Sequence, residues 1–375
     1  MDRFASVATL PSRSPVALRG RNLTRQPACQ SKIVELTRPY TEPAHPGYFA
    51  DPFVWRSGDE YYAIGTGPEE AEGVVRRATT PSVFPLLRSR DLADWRSAGH
   101  ALVRPDEALG GNFWAPEIAY ADGRWHLYYS VGHGDKLHQL RVAMSEHPLG
   151  PYIDYAQLTD PAEVPFAIDP HPFRGDDGRW YLFHARDFLD VQEDAIGKVR
   201  AGTALVVAEL ETMTRLSPTV HTVLRARCDW QRFASQRSMY GRIFDWHTLE
   251  GPCVIKERGR YYCLYSGGCW EGDTYGVDYT VADRVLGPYE DVADRAGPRV
   301  LRTVPGKLIG PGHCSVVTAP DGVTRMIVYH AWDAGTTARR MYIDELSFDA
   351  AGPRALGFAG VPRQPVSASA ATTPR

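Results

Sequence analysis

Thr248-Leu249-Glu250-Gly251-Pro252, continued by CVIKERGRYYCLYSGG over residues 253–268, sets one carboxylate at the mouth of a short strand. A Gly-containing turn and an aromatic-rich second strand follow, the pattern of a β-hairpin. The same grammar returns four times: ADPFVWRSGDEYYAIGTG from Ala50, WAPEIAYADGRWHLYYSVG from Trp114, IDPHPFRGDDGRWYLFHARD from Ile168 and GPGHCSVVTAPDGVTRMIVYHAW from Gly310. Each unit has an X-Pro or Gly-rich entry, a short apolar strand, a Gly-bearing turn and a strand rich in Tyr, Trp, Leu or Val.

Taking Asp51, Glu117, Asp169, Glu250 and His313 as markers, the units lie 66, 52, 81 and 63 residues apart. That spacing is too irregular for a solenoid and suits propeller blades with variable outer strands. FPLLRSRDLADWRSAG, LRVAMSEHPLGPYID, TALVVAELETMTRLS and YGVDYTVADRVLGPYEDV supply those outer strands. The phrases HPLGPYID and RVLGPYED repeat within them. No segment sustains a 3.6-residue apolar period, so helix is limited to short turns. The expected fold is all-β, a five-bladed β-propeller over residues 41–365. The innermost strands line a central axis, where the five markers converge at different depths. Glu117 is expected to be a structural partner near that axis.

The chain has 375 residues, 43% of them hydrophobic, and a formal net charge of -3 without a basic run or acidic tail. Nucleic acid and anionic membranes are poor partners for such a surface, and no apolar run is long enough for a membrane span. Six cysteines show no metal-like spacing; Cys253 and Cys263 flank one hairpin turn and could face each other. The Arg- and Ser-rich residues 1–40 read as a poorly ordered leader without a continuous apolar core, and 366–375 as a frayed tail. That leader points to a cytoplasmic protein. Oligomeric state stays open.

Several carboxylates on one axis, with little metal-ligand chemistry around them, suit the hydrolysis of a bond between sugars. Crowding raises the pKa of at least one of them, as a general acid near neutrality requires. Trp114, Trp246 and Trp270 lie beside motif positions, where they either stack on a sugar face or fill the core.

The motifs ADP (Ala50–Pro52), WAPEI (Trp114–Ile118), IDP (Ile168–Pro170), LEGP (Leu249–Pro252) and GPGH (Gly310–His313) together resemble glycoside hydrolase family 43 over residues 45–360. Each is weak alone, since Asp-Pro and Gly-Pro are common turn dipeptides; their order and hairpin context carry the resemblance. It implies an inverting, pentose-releasing enzyme with Asp51 as general base, Asp169 as the carboxylate that tunes and orients the acid, and Glu250 as general acid. It also implies an arginine near the sugar, matched to Arg340, and an axial His313 that holds a calcium or sodium ion in some members; no cofactor is required. The expected substrate is an oligosaccharide carrying α-L-arabinofuranosyl units, because the chain ends about 60 residues after GPGH, without the sandwich domain of the long β-xylosidases. A β-xylosidase, an endo-arabinanase and a non-catalytic sugar-binding propeller are the competing readings. The retaining fructan hydrolases fit less well, since their Asn-Asp-Pro-Asn, Arg-Asp-Pro and Glu-Cys signatures are absent. The loops at 67–84 and 225–247 are expected to wall the pocket.

Overall fold

The computed structural model describes residues 42–68, 82–193, 199–290 and 296–357. The expected leader and tail, and most of the 67–84 loop, lie outside them. Five sheets, antiparallel except where the added hairpin joins the third, follow one another along the chain as the blades of a propeller. Blade I holds β1 (Ala50–Ser57), β2 (Glu60–Thr66), β3 (Ser82–Ser89) and β4 (Arg96–Val103). Blade II holds β5 (Asn112–Ala121), β6 (Arg124–His133), β7 (Lys136–Ser145) and β8 (Ile153–Gln157). Blade III holds β9 (Ala167–Arg174), β10 (Trp180–Glu193), β11 (Val199–Thr212) and β12 (Arg215–Leu224), with an added hairpin of β13 (Arg232–Met239) and β14 (Arg242–His247). Blade IV holds β15 (Leu249–Glu257), β16 (Arg260–Gly267) and β17 (Gly276–Ala282). Blade V holds β18 (Leu308–Thr318), β19 (Arg325–Asp333), β20 (Arg339–Asp349) and β21 (Gly352–Leu356). Two 3-10 turns, Glu107–Leu109 and Asp229–Gln231, are the helix found among the described residues.

The hairpin turns form where the sequence demands them. Asp122-Gly123 and Arg258-Gly259 are two-residue loops with both residues left-handed, the type I′ geometry that matches strand twist. The repeated LGPY phrase folds identically in blades II and IV. Gly150-Pro151 and Gly287-Pro288 are both cis, and the Tyr152 and Tyr289 hydroxyls donate back to Pro148 O and Val285 O at 3.0 and 2.9 Å. A shared local structure at a shared phrase marks a true internal repeat.

Apolar side chains gather in the joints between blades. Ile64, Leu86, Leu127 and Tyr129 fill the joint of I and II; Tyr128, Val142, Leu182 and Leu210 that of II and III. Phe183, Leu205, Leu249 and Tyr265 pack between III and IV, and Leu264, Val277, Ile327 and Tyr329 between IV and V. Phe49, Val54, Val328 and Met341 close the ring between V and I. Each blade is therefore buried on both faces, which explains its near-continuous apolar strands. Cys253 lies opposite Leu264 and Cys263 opposite Val254, one register step apart, so the two thiols take opposite blade faces. Both are free and buried.

Candidate active site

Each inner strand breaks register near its start, β18 at two successive places, and the break presents the site. The shifts fall between Ala50 and Phe53, Trp114 and Glu117, Glu250 and Cys253, and Gly312 and Ser315, with the matching one in β9 between Ile168 and His171. At each break one residue is left-handed: Asp51 (φ 48°), Ala115 (48°), Asp169 (59°), Gly251 (56°) and His313 (47°). Such conformations cost a non-Gly residue about 1–3 kcal/mol and collect at functional sites. Proline follows the bulged residue in four of the five strands, where its missing N–H removes no ladder bond. Gly251 suits its place twice over, because a Cβ there would also come within 3.1 Å of the His313 ring.

This register explains the offsets among the sequence markers. Asp51, Asp169 and His313 are structural equivalents. Glu250 stands one position earlier, level with Trp114, and Glu117 two positions after its bulge residue, level with His171. The N–H groups freed by the bulges are taken up by the preceding blade. Asp51 N donates to His330 Nδ1 (3.0 Å), Ala115 N to Thr66 Oγ1 (2.9 Å), Gly251 N to Asp169 Oδ2 (2.8 Å) and His313 N to Ser266 Oγ (2.7 Å). Because Thr66 accepts from Ala115, its own hydroxyl hydrogen goes to Asp51 Oδ2 at 2.6 Å.

Asp51 and Asp169 are buried and Glu250 is half-buried, and their environments drive them apart. Burial alone would raise the Asp51 carboxyl, but His313, His330 and the Arg339 guanidinium outweigh it and hold the group well below the usual carboxylate range. Arg339 Nη1 lies 3.7 Å from Asp51 Oδ1, and His313 Nδ1 lies 3.4 Å from it. Burial, then the neighbouring Glu250 and Asp51, push Asp169 well above that range. Burial and the charge of Asp51 raise Glu250 to about 7, against the opposing pull of the Tyr275 hydroxyl, which donates to Glu250 Oε1 at 2.6 Å, and of Arg339. Asp51 is thus pushed toward the ionised form, and Asp169 and Glu250 toward the protonated one. That combination can activate water and protonate a leaving group in the same step.

Around the acids the structure redistributes several expected roles. Arg340 does not reach the site: its guanidinium pairs with Asp333 at 2.9 Å. Its neighbour Arg339 points to the axis instead, since a one-residue step along a strand reverses the face. Arg339 lies over the Trp270 ring at 4.5 Å and accompanies Asp51. Trp270 stacks on Trp332, and Trp332 Nε1 donates to Trp270 O at 2.8 Å. Tyr48 completes this wall, its hydroxyl 2.7 Å from Arg339 Nη2. Trp114 is half-buried against His138, with ring centroids 3.7 Å apart. Trp246 is core, not a sugar platform: it is buried with Phe244 and Ala201 under the added hairpin. Arg339, Trp332, Tyr48, Tyr275 and Thr66 escaped the sequence reading.

Most of the 225–247 stretch folds as the added hairpin of blade III. β10 and β11 run on past the start of β9, and β14 pairs in parallel with β11 at Ala201 and Gly202. The added hairpin thus stands at the end of blade III that carries Asp169. Arg237 reaches Asp135 of blade II at 3.0 Å, and the Tyr240 hydroxyl donates to Asp187 at 2.7 Å. Burial pushes Asp187 up to about 6.

His313 Nδ1 faces Asp51 and, at 3.7 Å, Asp169. Hard cations take six or more oxygen ligands, and no group of three or more His, Cys, Asp or Glu among the described residues is placed to hold a metal.

A family model described as glycosyl hydrolases family 43 matches residues 40–353. The chain is 25% identical over 307 residues to an extracellular exo-alpha-(1->5)-L-arabinofuranosidase of Streptomyces avermitilis, covering 80% of this chain and 57% of that protein. It is also 25% identical over 322 residues to an extracellular endo-alpha-(1->5)-L-arabinanase of Bacillus subtilis, covering 81% and 86%. A crystal structure of a thermostable family-43 glycoside hydrolase superposes with a TM-score of 0.67 at 25% identity, over 86% of this chain and 98% of that one. Both relatives are named extracellular, which overturns the expectation of a cytoplasmic protein.

Proposed function

The chain belongs to glycosyl hydrolase family 43, and on that premise we propose that it is an inverting glycosidase that releases α-L-arabinofuranosyl units from oligosaccharides outside the cell. The observation that carries the mechanism is the opposed state of Asp51 and Glu250, one ionised and the other raised to about 7. Glu250 protonates the leaving glycosidic oxygen while Asp51 takes a proton from the water that attacks the anomeric carbon. Asp169 keeps its own proton, orients the bulge that presents Glu250 through Gly251 N, and contributes to the polar lining around the sugar. Arg339 holds the base ionised and, with Trp270, Trp332 and Tyr48, offers a flat aromatic and cationic wall for the sugar ring.

The choice of arabinose draws on the two named relatives, and the endo-acting relative supports an arabinanase as the second reading. Paired aryl α-L-arabinofuranoside and β-D-xyloside substrates, followed by a linear arabino-oligosaccharide, test the choice. The expected result is a preference for the arabinofuranoside of at least about tenfold, the scale one well-fitted pocket contact supplies, with single arabinose units released from the oligosaccharide. Preference for the xyloside would overturn the sugar. Internal cleavage of the oligosaccharide would favour the second reading.

A further inference from the structure

Below the catalytic ring lies a second layer formed by the residues two positions after each bulge: the half-buried Phe53 and the buried Glu117, His171, Cys253 and Ser315. Two of its members repeat one bond. Val54 N of blade I donates to Ser315 Oγ of blade V at 3.1 Å, and Val254 N of blade IV donates to His171 Nε2 of blade III at 3.0 Å. At the first joint a serine is sufficient, and its hydroxyl donates onward to Pro52 O at 2.8 Å. At the second joint the chain uses a histidine backed by a carboxylate. Since Nε2 accepts from a backbone N–H, Nδ1 carries the proton and donates to Glu117 Oε2 at 2.8 Å. Glu117 is 6% exposed and His171 7%.

A buried carboxylate hydrogen-bonded to a buried imidazole is a costly way to join two strands, and the repeat shows that the joint itself does not need one. What distinguishes the two joints is the strand they hold. β15 carries Glu250, and β9 grips it twice: Asp169 takes Gly251 N, and His171 takes Val254 N. These two bonds bracket Pro252 and the whole bulge that aims the acid. We infer that Glu117 and His171 are positioning residues for the reaction, a rigid brace that fixes the bulge of β15 and with it the direction in which Glu250 meets the leaving oxygen. Glu117 orients the imidazole from blade II, and the imidazole sets the depth of β15, so three blades are locked together behind one side chain. Neither residue touches the sugar.

The inference rests on the proposed role of Glu250 as acid. The test is the variant His171→Ser, which copies the sequence of the other joint, assayed on an alkyl and on an activated aryl arabinofuranoside, with Glu117→Leu as a second variant and Glu117→Gln as the conservative one. The expected result is a folded His171→Ser protein whose kcat on the alkyl substrate falls about 10- to 100-fold, the loss that a small misplacement of a reacting group brings. KM and turnover of the aryl substrate change little, because a good leaving group does not depend on the aim of the acid. Glu117→Leu shows the same split, and Glu117→Gln, which still accepts from Nδ1, restores most of the activity. Equal losses on both substrates, or wild-type kinetics in a folded His171→Ser, would overturn the inference. A Glu250→Ala control that shows no dependence on leaving group would instead overturn the acid assignment beneath it.

Discussion

The ring of inner strands and the wall around it are built on different principles. Five inner strands share a bulge and a left-handed residue, four of them with proline next, and the freed N–H groups of Asp51, Ala115, Gly251 and His313 go to the preceding blade. The wall shares nothing between blades: Tyr48, Trp270, Trp332 and Arg339 come from a pre-strand segment, a loop and two strand ends, and among the described residues the β13–β14 hairpin is confined to blade III. The ring sets the protonation states that chemistry needs. On the proposed function, the wall is the surface that meets the sugar. Replacing a ring residue should therefore damage the chemical step, and replacing a wall residue should damage recognition.

The largest effect that sharpens this division is expected at Glu250. Glu250→Ala should lower turnover of an alkyl arabinofuranoside by about 10²- to 10⁴-fold, the range of general acid catalysis, while an activated aryl substrate is partly spared. The wild-type rate should also fall as pH rises through about 7, because the raised carboxyl loses the proton it donates. A rate that kept climbing above that pH would break the assignment. Next comes Arg339, which belongs to both regions through Asp51 and Trp270. Arg339→Ala should reduce kcat/KM about 10- to 100-fold, the worth of one charged contact of about 1.5–3 kcal/mol, on alkyl and aryl substrates alike. The smallest effect is expected one residue on: Arg340→Ala removes a pair with Asp333 worth at most about 1 kcal/mol and should leave kinetics within about twofold.

The contrast also explains what the sequence made legible. Bulges and type I′ turns demand particular residues, so Asp-Pro, Gly-Pro and Asp-Gly marked every inner hairpin, and the fold followed from their order. Side-chain direction in the last blade was not marked. Arg339 and Arg340 are adjacent cations, and nothing in ARRMYIDEL says which lies on the buried face; only the pairing of Ala331 with Arg340 and of Trp332 with Arg339 fixes it. Trp246 misled for a related reason. It sits four residues before Glu250 in the chain, yet those residues cross from the added hairpin into β15, and the tryptophan is left in the hairpin's own small core. The bonds made by Thr66 and Tyr275 join segments that only folding brings together.

The central claim is that Asp51 acts as a base on water and not as a nucleophile. Proton NMR of the sugar released in the first seconds of turnover from an aryl α-L-arabinofuranoside, with Asp51→Ala as the control, tests it most directly. The account predicts that the β-anomer appears first, equilibrating afterwards, and that Asp51→Ala releases neither anomer at a measurable rate. Initial release of the α-anomer, the configuration of the substrate, would contradict it.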